Sequence, residues 1–240
     1  MTIEGKGQEV ALNNMLNLLR NKLRRLGFDV IRYRPRPKWP GDEDRFEYQK
    51  QLVQFDIPAG STVLDIGSGH YPFPLATILA DLYTSDSPHR TEELIQDYRP
   101  LLVLDIQHLP FDEKSIDFIY CSHVLEHVED PGQACSELMR VSQRGYIETP
   151  TFASDLLFSW ASGVNHKWHI VAMHNTLFFF EYDQRQQQGI RSTIWDHLIH
   201  GPAYHPLQDA FYNNLDLFNV MFQWEGHFEY EVFRLDDQNQ

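Results

Sequence analysis

Asp65, Gly67 and Gly69 fall within five residues, in Val63-Leu-Asp-Ile-Gly-Ser-Gly69. Glycines directly after a short apolar run let a ligand approach the backbone closely. A pyrophosphate loop of the G-x-G-x-x-G type needs a third glycine where Pro72 stands. Pro72 and Pro74 also prevent a long helix from opening at the glycines. The acid two residues before the first glycine repels phosphate and suits a ligand carrying an ammonium group. Three more polar groups, Asp81, Asp105 and Ser122, each end or follow a short apolar run. Then come His123, Glu126 and His127, in H-x-x-E-H spacing. On a helix these positions share one face. Two imidazoles and a carboxylate form a donor set for zinc or another divalent ion. An imidazole titrating near neutrality also suits removal of a proton from a hydroxyl. The third reading is packing or ligand lining at the start of a helix, and the spacing leaves all three open.

The elements that must position these residues follow from patterning. Ser61–Ile66, Ala76–Asp81, Leu101–Asp105, Ile116–Cys121 and Gly145–Thr149 are short apolar runs that predict five strands. Helices are expected at Asp42–Phe55, at Thr91–Tyr98, directly after the fourth strand, and at Pro131–Val141. Short apolar strands alternating with helices imply a doubly wound, mostly parallel α/β sheet covered on both faces. Ligands in such sheets bind beyond the carboxyl ends of the strands. Asp65, Gly67, Gly69, Asp81, Asp105 and Ser122 all fall there, which predicts one site.

Beyond Pro150 the pattern changes. Trp168–His174 and Leu177–Tyr182 flank Asn175-Thr176 and predict a hairpin, and Phe218–Trp224 and His227–Phe233 flank Glu225-Gly226 and predict a final one. Thr193–His200 and Leu207–Tyr212 have helical patterning. His166, His169, His174, His197, His200 and His205 crowd this third of the chain with Trp160, Trp168 and Trp195. Asn165-His166-Lys167-Trp168 follows the fifth strand most closely and is the candidate for contact with a second ligand.

The N-terminal region is of another kind. Eight lysines and arginines against Asp29 alone lie between Leu16 and Lys38, in a chain whose formal charge is −14. Leu12, Met15, Leu16, Leu19, Leu23 and Leu26 give residues 11–26 a leucine stripe that Gly27 stops. A basic amphipathic helix of this kind lies on an anionic membrane or docks on an acidic partner, unless it packs on its own acidic body. Pro35, Pro37 and Pro40 make the connector that follows stiff. The acidic remainder argues against a nucleic-acid surface. No run approaches the roughly 20 apolar residues of a membrane span. Glu4 and Glu9 break any apolar signal core, and two cysteines fit a reducing cytoplasm.

The blocks Val63–Gly69, Asp105-Ile-Gln-His-Leu-Pro-Phe111, Ser115–Val128, Glu137-Leu-Met-Arg-Val141 and Tyr146-Ile-Glu-Thr-Pro150 occur in order over about residues 60–150. Together they resemble class I S-adenosylmethionine-dependent methyltransferases of the small-molecule branch. The resemblance implies that Gly67–Gly69 lie against the methionine part of the cofactor and that Asp65 orients its amino group. It further implies Asp81 on the ribose, with Asp86 the alternative, Asp105 and Ile106 at the adenine, and Ser122 near the methionine. His127, His123 and His166 are the candidate catalytic residues. No metal is expected, although His123, Glu126 and His127 retain the donor set for one, at the position where some ubiquinone-pathway O-methyltransferases that this block resembles hold a metal near the acceptor.

The expectation is therefore a Rossmann-like seven-stranded sheet with an antiparallel final hairpin and an N-terminal helical extension. Residues 1–41 form the extension and connector, and 42–240 the catalytic domain. Within it, 60–150 are the cofactor half, 151–217 the acceptor side and 218–235 the hairpin. The expected reaction is direct methyl transfer to an oxygen or nitrogen of a small molecule, in the cytoplasm, with peripheral membrane contact through residues 11–38 as an added option. Two other classes compete: a non-catalytic or metal-binding module that keeps the fold, and a membrane-surface assembly protein.

Overall fold

Successive side chains of the strands point to opposite faces, and the two buried sets build two different cores. The computed structural model describes residues 22–23, 25–27, 43–85, 93–157, 166–183, 205–207, 211 and 214–235. Five parallel strands form the centre: β1 (Val63–Ile66), β2 (Ile78–Asp81), β3 (Leu101–Val103), β4 (Phe118–Ser122) and β5 (Arg144–Pro150). Val63, Phe118, Tyr120 and Tyr146 face one layer, where Phe46 and Val53 join Phe55 and Phe73. Leu64, Ile66, Ile119, Cys121 and Ile147 face the other. A sheet apolar on both faces must be covered on both, and here the two covers differ in kind.

The first cover is α1 (Glu43–Leu52), which falls within the predicted helix. Part of the second is α2 (Pro131–Val141), set by Pro131 at its first turn and by Asp130, whose side chain accepts from the Gln133 amide at 3.1 Å. The rest is a separate three-stranded sheet of β6 (Trp168–Met173), β7 (Thr176–Glu181) and β9 (Glu229–Phe233). Trp168, Ile170, Leu177 and Phe179 of this sheet share a core with Leu138 of α2. A short helix, α3 (Phe152–Leu157), follows β5.

The main sheet has six strands, in the order β3-β2-β1-β4-β5-β8, where seven were expected. The predicted hairpin of β6 and β7 is present and antiparallel. The final hairpin is not: β8 (Asn219–Glu225) pairs antiparallel with β5, whereas β9 pairs parallel with β7 in the second sheet. The cause is local. Gly226 turns the chain at φ +75°, Phe228 buries against Phe222 and Trp224, and the Glu229 amide donates to the Asn175 carbonyl at 2.9 Å. Asn175 Nδ2 returns a bond to the His227 carbonyl, so the chain is captured by the β6–β7 turn.

Two predicted helices are replaced. Residues 93–97 run without regular structure, and the Ile95 amide donates to the Gly69 carbonyl at 3.0 Å. After β4 there is only a single 3-10 turn, Leu125–His127. Residues 28–42, 86–92, Asn165, Trp160, Trp195, His197 and His200 lie outside the described residues, as does most of the basic N-terminal stripe. Within that stripe Lys22, Leu23 and Arg25 are helical and Gly27, at φ +83°, stands where a stop was expected. The chain divides into two units, residues 1–37 and 38–240. Cys121 and Cys135 are both buried and reduced. No helix among the described residues is long and apolar enough to cross a membrane.

Candidate active site

The glycine loop is fastened to the sheet by its own backbone. Gly67 and Gly69 take φ of +74° and +49°. The Gly67 and Ser68 amides both donate to the Ala80 carbonyl of β2, at 2.8 and 3.0 Å. A Cβ on Gly67 would lie 2.3 Å from Val124 Cγ2, so the loop and the turn after β4 touch where only hydrogen fits. Asp81 completes the fastening by accepting from the Gly69 amide at 3.1 Å and the Tyr83 amide at 2.9 Å. Asp105 accepts from the backbone and side-chain nitrogens of Gln107 at 2.9 and 3.0 Å.

These residues line one cleft of about 410 Å³ at the carboxyl ends of the strands. Gly67, Gly69, Asp81, Asp105, Ile106, Ser122, His123 and His127 are all on its wall. Asp65 is not. It is 1% exposed and sits beneath the loop, where its Oδ2 accepts from the Phe73 amide at 2.7 Å. Burial pushes its carboxyl up to about 7 despite that bond. Arg99 braces the same segment, donating to the carbonyls of Phe73 and Ala76 at 2.8 and 3.3 Å. Phe73 in turn stacks on Tyr120 with centroids 4.1 Å apart. A braced, proline-bearing loop thus stands where the sequence already argued against a long helix. Asp86 lies outside the described residues.

The histidines are arranged differently from the expected helical face. His123 leaves β4 at φ +57°, before the 3-10 turn begins, so it does not share a helix with Glu126 and His127. Its Nδ1 lies 3.4 Å from Glu126 Oε1 and its Nε2 3.4 Å from Glu148 Oε1. Burial alone would lower its pKa, but the two carboxylates outweigh that and raise it to about 9. His123 is therefore an imidazolium at neutral pH, a counter-charge to both acids. Glu148 is fully buried and accepts from Tyr48 at 2.7 Å, from Gln49 at 2.9 Å and from Tyr146 in a short bond.

His127 lines the cleft, and its ring meets that of His166 edge-on with centroids 4.8 Å apart. His166 is buried behind it, with Nδ1 2.9 Å from Asp155 Oδ1, and Tyr182 donates to Asp155 Oδ2 at 2.8 Å. The segment that carries His166 is stapled to the 3-10 turn. The Lys167 amide donates to the Glu126 carbonyl and Trp168 Nε1 to the Val128 carbonyl, each at 2.7 Å. Lys167 Nζ also pairs with Glu129 and lines the cleft. Among the late histidines, His169 packs against Phe152, Phe180 and Tyr182, and His174 occupies a β-turn at φ +55°.

Sequence reasoning missed Arg45, Glu148, Asp155 and Tyr182, whereas Lys167, from the segment singled out after the fifth strand, does line the cleft. Arg45 lines the cleft from α1 and lies over the Tyr71 ring at 5.4 Å. Only Glu148 carried a signal, as an acid at the end of an apolar strand.

Residues 64–147 match the model of the methyltransferase domain. That stretch carries a methyltransferase domain. The chain is 14% identical to a chain of the Haloferax volcanii complex between the Trm112 methyltransferase activator and a methyltransferase, covering 77% of this chain and 92% of that one at a TM-score of 0.44. A Mesorhizobium loti S-adenosylmethionine-dependent methyltransferase is 11% identical, with 78% and 98% covered and a TM-score of 0.39. For a Thermotoga maritima S-adenosylmethionine-dependent methyltransferase the identity is 23%, the shares 46% and 53%, and the TM-score 0.35, so this chain spans about half of that one. No curated protein sequence matches the chain.

The donor set of the cleft fits the methyltransferase cofactor. Two carboxylates at the ends of neighbouring strands suit hydroxyl and amine donors, and the apolar floor of Ile66, Leu104, Ile106 and Val128 suits a purine. Arg45 supplies a cation for a carboxylate at the glycine-loop end.

Proposed function

We propose that this methyltransferase transfers a methyl group to an oxygen or nitrogen of a small-molecule acceptor held against His127. The observation that carries the reading is His127 itself, which lines the same cleft as Asp81, Asp105 and the glycine loop and is backed by Glu126 and His166. S-adenosylmethionine supplies, when bound, a methyl already activated on a sulfonium, so the protein mainly aligns and deprotonates.

The residues in and beneath the cleft divide the work in this scheme. Asp81 accepts from the ribose hydroxyls while keeping the glycine loop in place. Asp105 and Ile106 hold the adenine, and the Gly67–Gly69 backbone with Arg45 and Ser122 holds the methionine end. Asp65 acts from beneath, by fixing the loop through Phe73 rather than by touching the ligand. The acceptor gives up its proton at His127, while the charged His123 is unsuited to take one.

The test is thermal unfolding with S-adenosylmethionine and S-adenosylhomocysteine. At about 100 times the dissociation constant either adds about 2.7 kcal/mol, which raises the midpoint by about 5–10 °C at this size. A saturable rise with both and none with NAD supports the reading, and a folded protein unmoved by either overturns it. Small acceptors are favoured over nucleic acid by the acidic body. Peripheral membrane contact through residues 11–38 is the accompanying proposal for location. It predicts that the full chain co-sediments with anionic vesicles and that Arg24→Glu with Arg25→Glu releases it; equal pelleting of both proteins overturns it.

A further inference from the structure

Burying a carboxylate without a hydrogen-bond donor costs several kcal/mol, and folded interiors keep such groups paired. Glu148 obeys that rule with four donors, Tyr48, Gln49, Ser122 and Tyr146. Glu126, 1% exposed, does not: neither of its oxygens receives a hydrogen bond. Its neighbours are ring nitrogens at longer range, His123 Nδ1 at 3.4 Å and His127 Nε2 at 3.9 Å. Glu126, His127 and His166 each offer one ligand atom, and these atoms lie within 4.8 Å of one another. Around an ion with ligands at about 2.1 Å, tetrahedral edges are roughly 3.4 Å, so the three ligand atoms must draw together to close the set.

The outer contacts match as well. Metal-bound histidines typically direct their second ring nitrogen at a carboxylate, which fixes the tautomer and the ring's orientation. His166 does so through Nδ1 to Asp155, and Asp155 is itself held by Tyr182. Tyr182, Asp155 and His166 thus form a buried hydrogen-bonded chain beside Glu126 and His127.

We propose that Glu126, His127 and His166 bind one divalent transition-metal ion, with Asp155 and Tyr182 as its supporting shell. Two imidazoles and one carboxylate select zinc, cobalt, iron or manganese over calcium and magnesium, which prefer all-oxygen surroundings. Three protein ligands leave coordination positions open. His127 lines the cleft, so the open side faces the place where the acceptor enters, and a ligand with an oxygen donor is the chemical class that fits it. His123 is outside the set because its two ring nitrogens already face Glu126 and Glu148. The ligand set therefore joins two residues of the 3-10 turn to one that is distant in sequence. With the ion bound, His127 would be its ligand rather than the base, and the ion would instead acidify an acceptor hydroxyl at the open position. That role rests on the methyltransferase reading; binding of the ion does not.

The test uses the full chain, stripped with a chelator and titrated with cobalt(II) while visible absorption is followed, with zinc(II) calorimetry for stoichiometry. One ion per chain is expected. Glu126→Gln and His166→Gln each reduce affinity by at least 100-fold, and Asp155→Asn by 10–100-fold. The exposed pair of His227 with Glu229 provides the control, and His227→Ala leaves the titration unchanged. Circular dichroism confirms that each variant is folded, and Glu126→Gln serves if His166→Gln is not. No stoichiometric binding overturns the proposal. So does loss of binding in His123→Gln with retention in His166→Gln, which would assign the ion to the sequence-adjacent triad. S-adenosylmethionine binding is measured separately on the stripped protein. If the ion binds but the cofactor does not, the site stands and the methyltransferase reading falls; the reverse result sinks only the site.

Discussion

Asp81 accepts two backbone amides, from Gly69 and Tyr83, whereas Glu126 accepts no hydrogen bond at all. The contrast extends to the regions around them. On the glycine-loop side, amides of Gly67, Ser68, Gly69 and Phe73 are each bonded to the sheet or to an aspartate, so the cleft wall is finished by the fold itself. On the histidine side, the 3-10 turn is stapled in place by Lys167 and Trp168, yet its side chains converge without completing one another. A preorganised wall binds a ligand of fixed shape with little ordering cost. A buried carboxylate that receives no hydrogen bond, as at Glu126, instead marks a place where a ligand, a proton or an ion can enter.

If the first wall is rigid by construction, its weakest substitution point is Gly67. Gly67→Val imposes a side chain at φ +74° and directly on Val124. Backbone strain and overpacking together cost about 2–6 kcal/mol. Cofactor affinity is expected to fall by at least about 100-fold in a protein that still folds, read by calorimetry with S-adenosylhomocysteine. Unchanged affinity would mean that the wall is pliable and the contrast false.

His127→Ala probes the other wall. The expected result is a fall in turnover of about 100-fold or more, with cofactor affinity unchanged. Loss of cofactor binding instead would place His127 with the glycine loop and dissolve the division. Turnover equal to that of the unmodified enzyme would remove His127 from the chemistry.

The two walls were unequally readable from sequence, for the same physical reason that they differ in structure. Glycine conformations, strand-end acids and apolar runs are local, so Gly67, Asp81, Asp105 and the order of β1 to β5 follow from neighbouring residues. Asp155 and His166 meet across an intervening segment of chain, and nothing in their spacing announces the contact. The H-x-x-E-H run suggested a helix, but Asp130 and Pro131 begin α2 so soon after β4 that one 3-10 turn is all that fits. Residues 218–233 have hairpin patterning. What separates β8 from β9 is Asn175, about fifty residues away, bonding to both His227 and Glu229.

Asp65 separates bracing from ligand contact within the first wall. Asp65→Ala leaves the Phe73 amide without its acceptor and should cost about 1–3 kcal/mol in denaturant unfolding. Asp65→Asn keeps an acceptor oxygen and removes the ionisation. The Asp65 carboxyl is raised from 3.8 to about 7 in the fold, so its contribution to stability is full below pH 3.8 and is lost as pH rises through 7. Asp65→Asn should therefore be at least as stable as the parent at pH 8 and retain cofactor binding. If Asp65→Asn is stable but no longer binds, Asp65 contacts the ligand and is not merely a brace.

The smallest effect concerns His123, whose charge ties the two walls' carboxylates together. Its pKa rises from 6.5 to about 9 in the fold, so the stability it confers is fully present below pH 6.5 and declines as pH rises through 9. Its imidazole is 30% exposed, and solvent screening reduces the gain to about 1 kcal/mol. Unfolding free energies measured between pH 6 and 10 should show this loss in the parent and a flatter profile in His123→Gln. Glu126 and Glu148 are held down to about 2, so their share is present above pH 4.5 and disappears only as pH falls through 2, outside that range. A profile equally steep in His123→Gln would mean that His123 is not the cation between these two acids. The surplus negative charge would then need another partner, and an ion at Glu126, His127 and His166 is the one the geometry offers.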